Sequence, residues 1–451
     1  MDTNQIRLKL QEFRAIQTAD IILNGITVVA GENGAGKSTI SQFLYYAFKI
    51  SNEYEVLINN DLRGQLYDVH DFLERFNNDI IDQGKKTLFS MELNLPYSYD
   101  KEEAWIEAID FFYTQYKQNI GYKAKVKSED AFFRTYRLKK ILADILADDY
   151  KSDNGSINIQ DLSFSHMFQL LKNYIHKLFS LAKQKVKDRP SDLLENTLKR
   201  SFSTNRLPQE YEILEYGVPI ISENNKIEEA HSVREIAYID TPMLLGIKSN
   251  KYSYWNDTNN ILKKFSQDID DYSISSIISN DIIKGDVYYE DYGGSARINE
   301  QFIYKREDGS EFNLLDCATG VKSFAMLQMM LKSGFLNKYT LLIIDEPESH
   351  LHPQWIIEYA RLLVLLNKHI GVKFFIASHN PDMVSAIKYI SEKENIDKNL
   401  NFYIATPAKE KHSYKYIHLG TNIEPIFESF NIALDRINLY GTKNELNNEI
   451  L

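Results

Sequence analysis

The sequence predicts an α/β fold: a mixed, largely parallel sheet flanked by helices, with an antiparallel β side layer and a helical insertion. Three observations predict it. Strand and helix patterns alternate between residues 320 and 392, and a glycine-rich loop directly follows an apolar run at 26–30. The stretch 285–312 is β-rich and broken by Gly-Gly and Asp-Gly pairs, the punctuation of tight turns.

Taken in order, IRLKL at 6–10 alternates apolar and polar as a half-buried strand does, and ITVVA at 26–30 is the continuous apolar run of a central strand. From Ser38 onward, Ile40, Phe43, Leu44, Ala47 and Phe48 recur at helical spacing and make one buried stripe. TLFSMELNL at 87–95 reads as a further strand. Residues 101–205 are rich in Lys, Glu, Leu, Phe and Tyr at helical spacing, as in Trp105, Ile109, Phe112 and Tyr116, without the sustained heptads of a coiled coil. A compact helical lobe is expected there. Strand signals resume with IAYID at 236–240. A helix at about 320–333 closed by Gly334, a strand at 340–344, a helix at about 354–368, a strand at 373–377 and a helix at about 381–392 complete the series. The expected organisation is a first part at 1–95, a mostly helical insertion at 96–233 and a second part at 234–451. The polar tail TKNELNNEIL is expected to be loosely held.

Composition narrows the class. With 451 residues, 43% hydrophobic and 12% aromatic, the chain can bury the cores of two or three domains. A net charge of −11 argues against coating nucleic acid through bulk positive charge. Residues 117–200 nevertheless hold 17 Lys and Arg against 10 Asp and Glu, which fits either solvated helix faces or a DNA contact. No apolar run approaches the roughly 18–20 residues of a membrane span, and MDTNQIRLKL lacks a secretory pattern, so a cytoplasmic protein away from membranes is expected. The single cysteine, Cys317, excludes an internal disulfide framework and a cysteine-built zinc site.

Three motifs carry chemistry. GENGAGKST, residues 31–39, fits a phosphate-binding loop between a strand and a helix. Gly31, Gly34 and Gly36, with Glu32, Asn33 and Ala35 between them, let backbone N–H groups curl around phosphate oxygens. Lys37 would hold the β- and γ-phosphates, Ser38 would offer its hydroxyl to Mg²⁺, and Thr39 completes the loop. TLLIIDEPESHLHP, residues 340–353, ends a buried strand in Asp345, a ligand for Mg²⁺, and Glu346, the group to orient and deprotonate an attacking water. FFIASHNP, residues 374–381, ends a third strand with His379 within reach of the γ-phosphate. His350 and His352 form an H-x-H pair with no third ligand nearby in sequence, and Arg14 follows the first strand in a turn.

The order GENGAGKST, ATGVK, LLIIDEPESHLHP, ASHNP resembles the ABC-type ATPase heads of the OLD/RecF/SMC-like group of P-loop NTPases, with EPESHLHP favouring the OLD/RecF-like branch. The resemblance covers about residues 1–95 and 234–420. It implies ATP and Mg²⁺ as ligands, and Glu346, His379 and Lys37 as the catalytic set. It also implies a signature loop that caps the γ-phosphate held by another protomer. Here Cys317-Ala318-Thr319-Gly320-Val321 stands where that family has Leu-Ser-Gly-Gly-Gln, so Ala318 brings no hydroxyl, while Thr319, the N–H groups from Gly320 and the charge of Lys322 remain to serve. The family's Q-loop glutamine has no clear counterpart; Gln65 is the candidate.

The same resemblance implies a homodimer or higher homo-oligomer built through composite ATP sites. OLD-family proteins carry a Toprim nuclease domain after the ATPase; with 72 residues after His379, any nuclease is expected to act in trans. The pattern is similar to the ATPase components of bacterial anti-phage defence systems such as PARIS and Septu, which implies a sensor ATPase controlling a separate effector encoded nearby. The alternatives are a RecF/SMC-like DNA-repair ATPase that binds DNA through the basic insertion, and an ATP-held scaffold with slow hydrolysis.

Overall fold

A computed structural model describes residues 5–80, 101–123, 140–141, 145, 163–223, 226–246, 253–264, 272–291, 300–410 and 412–428. The strand predicted at 87–95, the Gly-Gly pair at 293–294 and the polar tail lie outside them. The chain divides into two compact units, one formed by residues 1–52 and 190–451 and the other by 53–189.

The first unit is built on β1 (Ile6–Phe13), β2 (Ile16–Ile22), β3 (Ile26–Ala30), β4 (Glu210–Glu215), β5 (Val218–Ser222) and β6 (Glu235–Ile239). Strands β7 (Gly285–Asp291), β8 (Glu300–Arg306) and β9 (Glu311–Asn313) form a separate antiparallel sheet, as the turn punctuation predicted. Strands β10 (Thr340–Asp345), β11 (Lys373–Ser378), β12 (Leu400–Pro407) and β13 (Tyr414–Gly420) return to the main sheet. Its ten strands run in the order β5-β4-β1-β2-β13-β12-β3-β11-β10-β6. Five neighbours, β12, β3, β11, β10 and β6, are parallel, and every residue of β3 and β10 is buried, which is why both read as unbroken apolar runs.

The expected boundaries at 95 and 233 differ from the observed division. Strands β4 and β5 fall within the stretch assigned to the helical insertion, yet they extend the main sheet, with β4 pairing along β1. The reason is local. EYEILE alternates buried and more exposed positions and turns into VPIIS through Tyr216-Gly217, both at positive φ (53° and 78°), the geometry a two-residue hairpin loop requires.

Helix α1 (Lys37–Ile80) buries its predicted stripe, Ile40, Phe43, Leu44, Ala47 and Phe48, completely. Its backbone leaves helical geometry at Glu53, where the first unit's share of the helix ends. In the second unit, the rest of α1 packs with α2 (Glu102–Lys123) and α3 (Phe164–Asp188) around Leu66, Phe72, Trp105, Ile109, Leu171 and Ile175. Trp105 and Ile109 are the core residues their spacing predicted; the side chain of Tyr116 lies outside the described residues. Two lysines of α3 have carboxylate partners, Lys172 with Asp110 and Lys183 with Glu102, and the His176 ring lies against Glu102 as well.

Among the described residues, the first unit also carries α4 (Asp192–Ser201), α5 (Ser253–Lys263), α6 (Tyr272–Ser276), α7 (Thr319–Lys332), α8 (Pro353–Ile370) and α9 (Pro381–Lys393). Proline at the first position of α8 and α9, and left-handed Gly371 after α8, set these ends as sequence rules require. Among the described residues, no helix is long and apolar enough to cross a membrane.

Candidate nucleotide site

Strand register brings three motifs to one edge of the sheet. In β3, β11 and β10, Ala30 pairs with Ser378 and Ala377 pairs with Asp345, so Gly31, His379 and Glu346 emerge side by side at the carboxyl ends. That is the edge at which open α/β sheets bind ligands.

The loop between β3 and α1 is shaped to wrap an anion. Gly34 and Gly36 sit at φ 85° and 94°, and a Cβ on Gly36 would lie 2.9 Å from Ile16 Cγ1, so the close turn at that position demands glycine. The buried Ala35 is pinned from outside by the Tyr416 hydroxyl, which donates to its carbonyl at 2.9 Å. The Lys37 ammonium donates to the carbonyls of Gly31 (2.8 Å) and Glu32 (2.9 Å), holding it inside the loop. Burial pushes the Lys37 pKa down, against the opposing pull of Glu346, Asp345, Glu348 and Glu32. An incoming phosphate would restore the missing counter-charge. A cavity of about 370 Å³ lies over this loop, lined among others by Arg14, Asn33, Lys37, Ser38, Thr39 and Glu346. Arg14, from the turn after β1, lies at the edge of this cavity, with its guanidinium stacked 5.1 Å from the Phe202 ring centroid.

Asp345 is buried beneath the loop. Ser41 donates to its Oδ1, Tyr238 donates to its Oδ2 at 2.8 Å, and Ser38 adds a side-chain hydrogen bond. Burial still pushes its pKa up against these three donors. A carboxylate and a serine hydroxyl at a phosphate loop are an all-oxygen donor set suited to a hard divalent cation, and the charge of Mg²⁺ would hold Asp345 ionised despite its burial. The residues present fit that ion.

Glu346 departs from the strand in a left-handed conformation (φ 49°), fixed by its own N–H donating to Ala377 O at 2.7 Å. This turn aims a half-exposed carboxylate over the cavity. The His379 ring stands beside it, with Nδ1 3.3 Å from Glu346 Oε1 and 3.5 Å from Glu348 Oε1.

The signature-like loop lies elsewhere. Ala318 is the N-cap of α7 with no side-chain capping bond, Thr319 and Lys322 are half-buried, and Gly320 packs on Trp355, whose Cζ3 would be 2.6 Å from an added Cβ. None of residues 317–322 lines the phosphate-loop cavity of the same chain. His352 caps α8, its Nδ1 accepting from Gln354 N at 3.4 Å, which gives one member of the H-x-H pair a structural task. Gln65 is a half-buried residue of the second unit that donates to Asp61 one helical turn earlier.

Sequence reasoning missed Ser41, Tyr238 and Glu348. Ser41 was legible as the residue one helical turn after Lys37, and Glu348 as a third acid in DEPE. Tyr238 had no signal, because its role arises only from the pairing of β6 with β10.

Fold and site together define a P-loop ATPase of the AAA type. The chain belongs to the AAA_15 family, described as an AAA ATPase domain, whose model matches residues 6–384. No curated protein matches it in sequence. Among solved structures, it is similar to the Smc head domain with an extended coiled coil, bound to the C-terminal domain of ScpA, from Pyrococcus furiosus. Identity there is 10% and the TM-score 0.34, over 96% of this chain and 98% of that one. The SMC head domain from Thermotoga maritima is 12% identical with a TM-score of 0.35, covering 92% of this chain and 98% of that one. For cbiO1 from Clostridium perfringens, part of an ABC transporter complex, identity is 16% and the TM-score 0.26, over 55% of this chain and 83% of that one.

Proposed function

We propose that the protein binds and hydrolyses ATP, and that two copies joined head to tail complete each other's sites. The observation that carries this reading is the convergence of Lys37, Asp345, Glu346 and His379 at one sheet edge, with residues 317–322 absent from the lining of the same cavity. In this reading the loop N–H groups and Lys37 hold the triphosphate. Ser38 and Asp345 hold Mg²⁺, which when bound neutralises charge on the phosphate oxygens. Glu346 takes the proton of the attacking water and His379 donates to the γ-phosphate. The start of α7 from a second copy, with Thr319, the Gly320 N–H and Lys322, caps that phosphate from outside, so ATP becomes part of the interface.

The cycle serves as a switch: a cytoplasmic sensor ATPase of bacterial anti-phage defence that holds or releases a separate effector, a nuclease being the leading candidate. The motif order with EPESHLHP supports this assignment, and an effector that co-purifies without DNA would test it. The surplus of basic residues at 117–200 favours a second reading, DNA binding through that basic stretch of the insertion. That reading requires salt-dependent binding that disappears when those residues are neutralised.

The decisive experiment compares ATP turnover and mass in solution for the wild type and Glu346→Gln. Loss of the base should lower kcat by roughly 10²-fold or more and accumulate an ATP-bound dimer. Equal rates in the two proteins would remove hydrolysis at this site from the protein's function.

A further inference from the structure

The acid that follows Glu346 by two residues is the least explained group near the site. Glu348 is 7% exposed, and its carboxyl faces the corner where β11 turns into α9. Oε1 accepts from the Ser378 hydroxyl at 2.9 Å and from the His379 backbone N–H at 3.1 Å. The same oxygen is 3.5 Å from His379 Nδ1. Oε2 is buried with no hydrogen-bond partner among the described residues. Burying a carboxyl with one oxygen unused is costly, and apolar side chains fill such corners at lower cost. A stability role alone is a poor account of it.

The geometry around the ring gives a better one. Two carboxylate oxygens, Glu346 Oε1 and Glu348 Oε1, face the same nitrogen, Nδ1, from 3.3 and 3.5 Å. A ring nitrogen between two acceptors carries a proton, which leaves Nε2 as the end available to a ligand; Nε2 donates to a phosphate oxygen once it carries the ring's second proton, which the charge of a bound phosphate favours. Glu346 is the group assigned to water and cannot hold the ring while it does so. Glu348 is held in place by Ser378 and the backbone and is free of that task.

We propose that Glu348 is a positioning residue of the ATPase: through Ser378 and the backbone and ring of His379, it holds the Nδ1 proton and the aim of His379 so that an Nε2–H can meet the γ-phosphate. This rests on the ATP-hydrolysing function proposed above. It predicts that Glu348 acts on turnover and hardly on nucleotide affinity, and only while His379 is present.

The test uses the full chain with Glu348→Met, which keeps the volume but removes both acceptors, and Glu348→Gln, which keeps the Oε1 acceptor. His379→Ala and the Glu348→Met/His379→Ala double variant complete a cycle. Turnover, affinity for a fluorescent ATP analogue, and the ¹⁵N resonances of the His379 ring in nucleotide-free protein are the readouts. The expected results are a kcat lowered roughly tenfold to a hundredfold in Glu348→Met, with affinity within about threefold, partial rescue in Glu348→Gln, and less than about twofold further loss in the double variant. The ring should read Nδ1–H in the wild type and lose that signature in Glu348→Met. Should the Met variant not fold, Glu348→Asp, which withdraws the carboxylate by one methylene, must show the same separation of kcat from affinity.

A wild type that hydrolyses ATP alongside a folded Glu348→Met with unchanged kcat overturns the proposal. So does an equal loss with and without His379, which would mark a merely structural acid. A wild type with no turnover instead overturns the function on which the proposal rests, and the ring signature then decides the role of Glu348 by itself.

Discussion

The Tyr238 hydroxyl donates to Oδ2 of Asp345 at 2.8 Å, across the parallel pairing of β6 with β10. Tyr238 is buried, and burial, then the negative charge of Asp345, pushes its pKa well above the usual tyrosine value, so it remains a donor. With Ser41 on the other oxygen, the carboxylate is oriented before any ligand arrives. Tyr238→Phe removes one donor and nothing else of the ring. It should cost about 1 kcal/mol of stability and raise the Mg²⁺ concentration for half-maximal turnover roughly tenfold. A magnesium titration of ATPase activity beside a urea melt checks both.

Asp345 shows the opposite balance between stability and function. The folded protein raises its pKa through burial, so the folded state holds that proton more tightly than the unfolded chain. Ionised Asp345 therefore weakens the nucleotide-free fold above its folded pKa, and the penalty recedes as pH falls toward the unfolded value. Asp345→Asn removes the charge at every pH. Its nucleotide-free melting temperature at pH 7.5 should exceed that of the wild type by about 2 °C, with a smaller gap in acid, while Mg²⁺-dependent ATPase activity disappears. A variant less stable than the wild type at neutral pH would show that the three hydrogen bonds outweigh burial.

The parallel core was legible because its strands are buried on both faces and its loops carry phosphate chemistry in local sequence. ITVVA, TLLIID and KFFIAS each announce a central strand, and the acids and histidine at their ends needed only the sheet to meet. The β4–β5 hairpin was missed for a different reason. Its partner β1 is about two hundred residues away in sequence, and the helical pattern before it continues to Ser201, so the surroundings concealed the alternation of EYEILE. Within the site, Glu346 was legible from its type and place, whereas Glu348 was legible only as a further acid in DEPE, and its task emerged once Ser378 and His379 were seen to donate to it.

Gly320 separates packing from ligand chemistry in the loop before α7. A methyl group there would meet the Trp355 ring at 2.6 Å, and that ring is set edge-on against Phe324 at 5.4 Å between centroids. Gly320→Ala should destabilise the fold by about 1–3 kcal/mol through overpacking. Gly320→Ala/Trp355→Phe, with a smaller ring, should recover part of that loss in a thermal melt. If the double variant regains stability but not ATP-dependent dimerisation, close backbone approach to the partner's phosphate is a second demand on this glycine.

Ala318 occupies the N-cap of α7 with extended φ and ψ (−58°, 145°) and leaves the first-turn N–H groups without a side-chain acceptor. Serine in that conformation caps well. Ala318→Ser should therefore add about 1 kcal/mol of stability, equally with and without nucleotide, in a urea titration. If the same hydroxyl also reaches the γ-phosphate of a second copy, the variant should dimerise at lower ATP concentration and turn over faster than the wild type. Stabilisation with no change in dimerisation or rate would mean that the start of α7 does not touch the triphosphate, and the head-to-tail arrangement would fall with it.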